Sequence, residues 1–253
     1  MSTAVEPGRV LVEISEGIGT IRFHHPKSNS LPGVLLQRLA AEVTALGADG
    51  EVRVIVIRSD GTGPFCGGAS FQELQAIQSA EQGTNFFMGF ARLILAMIRC
   101  PKFVITRVHG KAVGGGVGVV AASDYAIAGP GAAIKLSELA IGIGPFVVGP
   151  VIEWKLGHSA LTTLGVNATE WRDAEWAREK GLYSEVLSTV DEVDSAVQTL
   201  ATRLAASSPE AMAQMKQIFW QGTEQWETLL PERAAMSGRL VLSDFAQQAI
   251  SGR

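Results

Sequence analysis

Apolar side chains recur along the first half of the chain in two alternating periods. Residues 10–15 (VLVEIS) and 19–24 (GTIRFH) alternate as paired strands do, 34–46 carries helical spacing, and 52–59 (VRVIVIRS) is dense enough for a buried strand. The alternation then repeats: 71–78 and 85–99 are predicted helices, 103–108 is a strand after the break at Cys100-Pro101, and 124–128 and 133–136 are short strands. From Asp173 the chain turns helical. Asp173 is placed to cap a helix over 174–180 that Gly181 closes, and Ser208 caps another whose first residue is Pro209. Almost nothing after Leu187 has strand character. The pattern predicts an α/β core over 1–190 and a helical region over 191–253, in which Trp220, Trp226, Leu229 and Leu230 are expected to stand exposed and to need a partner surface, the alternative being that they pack on their own domain.

Composition narrows the possible functions. The 253 residues are 47% apolar and the mean hydropathy is +0.21, enough for one large core. A net charge of -4, with no run of basic residues, argues against a nucleic-acid partner or an anionic membrane surface. Cys66 and Cys100 make no disulfide framework, and His24, His25, His109 and His158 lack metal-ligand spacing, so a reducing compartment and no metal are expected. The first residues lack the apolar core of a signal peptide. The longest uncharged stretch, 139–152, is too short and too rich in Gly and Pro to span a bilayer, and a cytoplasmic protein is expected.

The chemistry concentrates around HGKAVGGGVGVVAASD, residues 109–124. Gly116 to Ala121 fits a dinucleotide loop, with Glu138 about twenty residues on, where a ribose-binding acid is wanted. Two features speak against it: about a hundred residues precede the glycines, and Glu138 enters a Gly/Pro loop instead of ending a long strand. Close helix packing is a second reading. In a third, strand 103–108 runs into a helix starting near Gly115 or Gly116, whose first N–H groups are left free to stabilise an oxyanion. Residues 61–70 (GTGPFCGGAS) have the same character, and Ser70-Phe-Gln-Glu73 is a capping-box pattern. If the two loops are neighbours, the N–H groups of Ala69 and Gly115 converge on one carbonyl oxygen. Cys66 has no sequence-local base to make it a nucleophile, and a buried loop position suits it better. His24 and His25, before Pro26, suit surface or capping roles. Phe86, Phe87, Met88, Phe90 and Met97 sit at helical spacing and are expected in the core.

The motifs PFCGGASFQEL (64–74), GKAVGGGVGVVAASDYAIA (110–128), SELAIGIGP (137–145) and RDAEWAREKGLYSEV (172–186), with Asn29-Ser30-Leu31 before the first long helix, resemble the crotonase superfamily of enoyl-CoA hydratases and isomerases. The resemblance implies an α/β fold, a crotonase-like spiral of ββα units with a C-terminal helical oligomerisation region, and a homotrimer or homohexamer. It implies an acyl-CoA substrate, coenzyme A being part of the substrate and no separate cofactor. Ala69 and Gly115 would supply the oxyanion N–H groups. Ala69, Ser70, Phe71 and Gln72 would line the pantetheine and adenine, and Lys27 would meet a phosphate.

Hydratases of this superfamily resemble one another in carrying two glutamates, at positions matching Gly118 and Glu138 here, so one carboxylate is missing. Hydration needs a base for water and an acid for the proton, whereas one carboxylate suffices to carry a proton from C2 to C4 of a 3-enoyl thioester. The resemblance to monofunctional isomerases, which keep the second glutamate alone, implies Glu138 as sole acid/base. Residues 144–147 (GPFV) and 153–158 look isomerase-like too, although the loop between them is one residue shorter. Phe146 stands where dienoyl isomerases and chlorobenzoyl dehalogenases place an aspartate, and is expected to line the substrate site. Apolar neighbours of Glu138 would raise its basicity. Two alternatives stay open: hydration or another enolate reaction such as decarboxylation, with an acid from Glu73 or the C-terminal helices, and a non-catalytic CoA-binding protein, compatible with Gly118 and with Ser70 in place of the usual aspartate.

Overall fold

The computed structural model describes residues 8–252. Its strands are β1 (Arg9–Ser15), β2 (Ile18–His24), β3 (Val54–Ser59), β4 (Phe103–Val108), β5 (Ala112–Val113), β6 (Tyr125–Ala128), β7 (Ile134–Lys135) and β8 (Glu185–Val186). β1 and β2 form a hairpin through Glu16 and Gly17, both at positive φ as a tight two-residue turn demands. All later pairings are parallel, giving a six-stranded sheet in the order β1-β2-β3-β4-β6-β8, beside a small parallel pair β5-β7. Parallel neighbours need crossovers, and the helices supply them: α1 (Gly33–Ala48), α2 (Phe71–Ala76), α3 (Ala80–Arg99), α4 (Gly115–Ala121), α5 (Gly149–Leu156), α6 (His158–Val166) and α7 (Ala174–Glu179). Four more follow: α8 (Val190–Ala205), α9 (Pro209–Phe219), α10 (Trp226–Leu240) and α11 (Asp244–Ser251).

Alternation along the central strands divides the core. Ile55 and Ile57 face one side, where Leu36, Leu39, Leu93 and Ile94 of α1 and α3 bury against them; Val54, Val56, Ile105 and Ile127 face the other, covered by Val193, Val197 and Ala201 of α8. Each such side chain fully buried is worth roughly 1.5–3 kcal/mol, which fixes the register of the strands that carry the site.

Several boundaries move from those predicted. The third helix begins at Ala80, not 85, because Ser79 accepts the Gln82 N–H as its cap. Residues 149–166, which show no clear helical period, form α5 and α6, buried through Val151, Ile152, Ala160 and Leu164. The expected exposure of the C-terminal aromatics is overturned. Trp220, Trp226 and Leu230 are buried within the chain and Leu229 is half-buried, the indoles of Trp220 and Trp226 packing against each other and against Trp154. A buried ionic knot holds this region down. Asp124 accepts from Lys216 Nζ at 2.8 Å, Trp220 Nε1 at 2.9 Å and the Val104 N–H at 2.7 Å, while Lys155 Nζ reaches the Ser123 carbonyl at 2.9 Å. α10 crosses α3 with backbones nearly touching, since a β-carbon on Gly83 would lie 2.7 Å from Gly238 Cα. Among the described residues no helix is long and apolar enough to cross a membrane.

Candidate functional site

The loop after β3 and the segment between β4 and α4 are joined by backbone hydrogen bonds. Cys66 N–H donates to the Lys111 carbonyl at 3.2 Å and Val113 N–H to the Cys66 carbonyl at 2.9 Å. Glycine makes this approach possible. Gly68 has φ +86°, and a β-carbon there would lie 2.8 Å from the Val113 oxygen and 3.8 Å from the Gly115 nitrogen; one on Gly116 would strike Cys66 at 2.7 Å. The start of α4 therefore abuts residues 66–69, as the third reading of the glycines expected. Among the described loop and cap hydrogen bonds, neither Ala69 nor Gly115 spends its N–H on a backbone carbonyl. Gly115 is fixed as glycine by the Phe90 ring, which a β-carbon would meet at 2.1 Å.

Glu138 reaches this junction from the loop after β7. A β-carbon on Gly114 would lie 2.7 Å from its Oε1, so the carboxylate rests against the residue next to Gly115. Oε2 is enclosed and has no hydrogen-bond partner among the described residues. The surrounding wall is Phe90, Ile141, Ile143, Val147 and Val148, and this burial pushes the carboxyl up to about 7. A carboxylate poised near neutrality, with one oxygen unused, is suited to taking and returning a proton.

The cleft between these groups has about 50 Å³ of free space and is also lined by Ala69, Phe71, Phe146 and, from α10, Ser237. Gly118, the position of the missing carboxylate, lies against Val148 of the cleft wall. A β-carbon on Gly118 would lie 2.5 Å from Val148 Cγ1, so valine occupies the space a larger residue at 118 would need. Phe146 lays its ring over Gly144, where a β-carbon would come within 2.5 Å of it.

The other expected residues divide. Ser70 caps α2 by accepting the Glu73 N–H. Gln72 is exposed and outside the cleft. Lys27 is also exposed, on a loop bent through Ser28 (φ 54°) and Asn29 (φ 51°). Asn29 Nδ2 ties that loop down by donating to the Asp60 and Pro64 carbonyls, and Gly67 N–H donates to the Ser28 carbonyl. His25 is buried in the same bend, with Ser30 Oγ 3.0 Å from its Nδ1. Glu73, weighed as a substitute acid, points elsewhere: its Oε2 accepts the Gly33 N–H at 2.7 Å at the start of α1. Cys66 is buried, its thiol pushed up to about 12 by burial, and it lies behind Gly116. No cluster of metal-ligating side chains occurs among the described residues.

Sequence reasoning missed Val148, Ser237 and Gly114 as parts of the cleft, and assigned Phe90 to the core alone. Gly238, the small residue that lets α10 approach α3, was the one available signal for Ser237.

A profile of the enoyl-CoA hydratase/isomerase family matches residues 13–250. A probable enoyl-CoA hydratase of Bacillus subtilis is 24% identical over 242 residues, covering 95% of this chain and 93% of that protein. The mitochondrial methylglutaconyl-CoA hydratase of Rattus norvegicus is 32% identical over 220 residues, 85% of this chain and 70% of that one. In three dimensions the crystal structure of an enoyl-CoA hydratase from Bacillus halodurans superposes with a TM-score of 0.89 over 96% of this chain and 99% of that one; at 19% identity this speaks to the fold.

Proposed function

We propose, from the premise that the chain belongs to the enoyl-CoA hydratase/isomerase family, that it moves the double bond of a 3-enoyl-CoA to the 2-position with Glu138 as sole acid/base. The observation that carries this reading is the pairing of an enclosed, neutral-range carboxyl at 138 with a valine-filled space beside Gly118.

The steps follow from the groups present. The thioester carbonyl makes the C2 proton acidic, and the Glu138 carboxylate removes it. The electron pair left at C2 delocalises over the 3,4-double bond and the thioester oxygen. That oxygen gains charge as the transition state forms, and N–H groups of Ala69 and Gly115 aimed at it stabilise the dienolate more than the neutral substrate. Glu138 then returns the proton to C4, leaving the double bond between C2 and C3. One proton has moved and nothing is consumed. A small, apolar cleft favours this internal return over exchange with solvent.

A second reading, hydration, is favoured by the names of relatives such as the rat methylglutaconyl-CoA hydratase. It asks for a second group to hold water. Glu73 is committed at α1, and the hydroxyls of Ser137 and Ser237 are the polar side chains left in the cleft besides Glu138. Turnover of a panel of 2-enoyl and 3-enoyl thioesters separates the readings. Conversion of 3-hexenoyl-CoA to its 2-enoyl isomer without hydration of crotonyl-CoA is expected. Robust hydration would select the second reading, and CoA binding with no turnover of any thioester would select a non-catalytic role.

A further inference from the structure

On the face of the sheet that α8 covers, three arginines stand side by side. Strand register pairs Arg22 of β2 with Arg58 of β3, and Arg58 with Arg107 of β4. Like charges directly opposite one another destabilise a sheet, so such a row needs anions to offset it. The chain supplies too few. Asp60 serves Arg22 at 2.9 Å and Arg9 at 3.3 Å; Asp194 of α8 accepts from Arg107 on both oxygens at 2.9 Å and lies 3.2 Å from Arg58 Nη1. Four guanidinium groups thus share two carboxylates. Arg58 is left short: its Nε is enclosed with no hydrogen-bond partner among the described residues. Burial first, and then the charge of Arg107, holds its guanidinium below the ordinary value. The surplus is felt nearby, where burial pushes His109 down to about 4 and Arg107 and Arg58 add to the shift.

A groove of about 710 Å³ lies beside this row, between β2, β3 and α8, and shares no residue with the cleft that holds Glu138. Arg58 and Arg203 both line it, with the Thr20 and Thr202 hydroxyls. Arg203 is exposed in the last turn of α8 and has no ion-pair partner among the described residues. Asp194 is the carboxylate on this wall, and Arg107 already engages both of its oxygens. Glu13 and Glu16 line a neighbouring groove on the β1 side and not this one. We infer that the groove binds a phosphate dianion, free or carried on a small organic molecule, between the guanidinium groups of Arg58 and Arg203. Guanidinium forks match phosphate oxygens, and two under-compensated cations match a charge near −2 better than a single carboxylate does. The volume falls in the range of small-molecule sites, roughly 300–1,000 Å³, which leaves room for an organic body behind the phosphate.

The test is titration calorimetry of the full chain with inorganic phosphate and with glucose 6-phosphate at constant ionic strength, without and with hexanoyl-CoA. The parent should bind at least one of them with a Kd below about 1 mM, within reach of two charge-assisted hydrogen-bonded pairs. Arg203→Gln and Arg58→Gln should each weaken binding at least about tenfold. Arg203 is exposed and unpaired, so its variant keeps the fold and serves if Arg58→Gln melts early. Arg178→Gln, which removes an exposed arginine paired with Glu175 on α7, should leave the affinity unchanged. Tighter binding of glucose 6-phosphate assigns a phosphate ester to the groove; equal or tighter binding of inorganic phosphate assigns the free ion. The inference is overturned if the parent binds neither, if either groove variant folds and binds as the parent does, or if Arg178→Gln weakens binding equally. It is also overturned if hexanoyl-CoA displaces the phosphate, which would place it at the Glu138 cleft.

Discussion

Val148 closes the space beside Gly118: its Cγ1 would lie 2.5 Å from a β-carbon at that position. Val148 lines the cleft and Gly118 lies against it, so Gly118→Glu alone should be unfavourable. Overpacking costs roughly 1–3 kcal/mol, visible as a lowered midpoint in urea. Adding Val148→Ala should restore most of that loss and allow measurable hydration of crotonyl-CoA, with none expected from the parent or from either single variant.

Glu138 should make stability depend on pH. Burial raises its carboxyl from the ordinary 4.5 to about 7, so the fold favours the protonated form. That stabilisation is fully present below about pH 4.5 and is lost as pH rises through about 7. Glu138→Gln cannot ionise, so it should match the parent at pH 4 and exceed it by about 1–3 kcal/mol at pH 8, measured by denaturant unfolding at both values. The parent's isomerase rate should climb over the same interval, since the base acts when deprotonated.

Gly114→Ala should displace the carboxylate. The added methyl would fall 2.7 Å from Glu138 Oε1, at a backbone φ of +52° that alanine tolerates poorly. A shift of about 1 Å at a reacting group can cost about 10²-fold. The expected signature is a kcat lowered by roughly that factor with KM for the thioester little changed, read from steady-state kinetics.

Asp124→Asn tests what anchors the C-terminal helices. The aspartate is buried with Lys216 and bridges α9 to β4, and removing one partner of a buried pair costs about 3–5 kcal/mol because the other charge is stranded. Breaking the exposed Arg38–Glu42 pair of α1 should cost under about 0.5 kcal/mol. Thermal unfolding of Asp124→Asn and Arg38→Ala compares the two.

The long strands of the central sheet were legible because burial leaves them dense in Val and Ile, and because they alternate with amphipathic helices along the chain. α5 and α6 were not. Their apolar residues face neighbours on several sides, so Gly149–Leu156 has no single helical stripe. Trp220 and Trp226 misled because the surface they pack on, Trp154 included, lies far away in sequence. Of the proposed site, Glu138, Ala69 and Gly115 stand out in the sequence because each sits in a local motif of glycines and a strand end. Val148 and Ser237 join the cleft only through tertiary contacts, and no local pattern encodes which helix comes to face which loop.

The central claim is that one carboxylate, Glu138, moves the proton. Its most direct measurement is the rate of conversion of 3-hexenoyl-CoA to 2-hexenoyl-CoA by the parent and by Glu138→Gln under identical conditions, with hexanoyl-CoA affinity measured for both. The account predicts turnover by the parent, a loss of about 10³-fold in the variant, in the middle of the range general acid–base groups contribute, and unchanged affinity. A variant that isomerises as fast as the parent would contradict it.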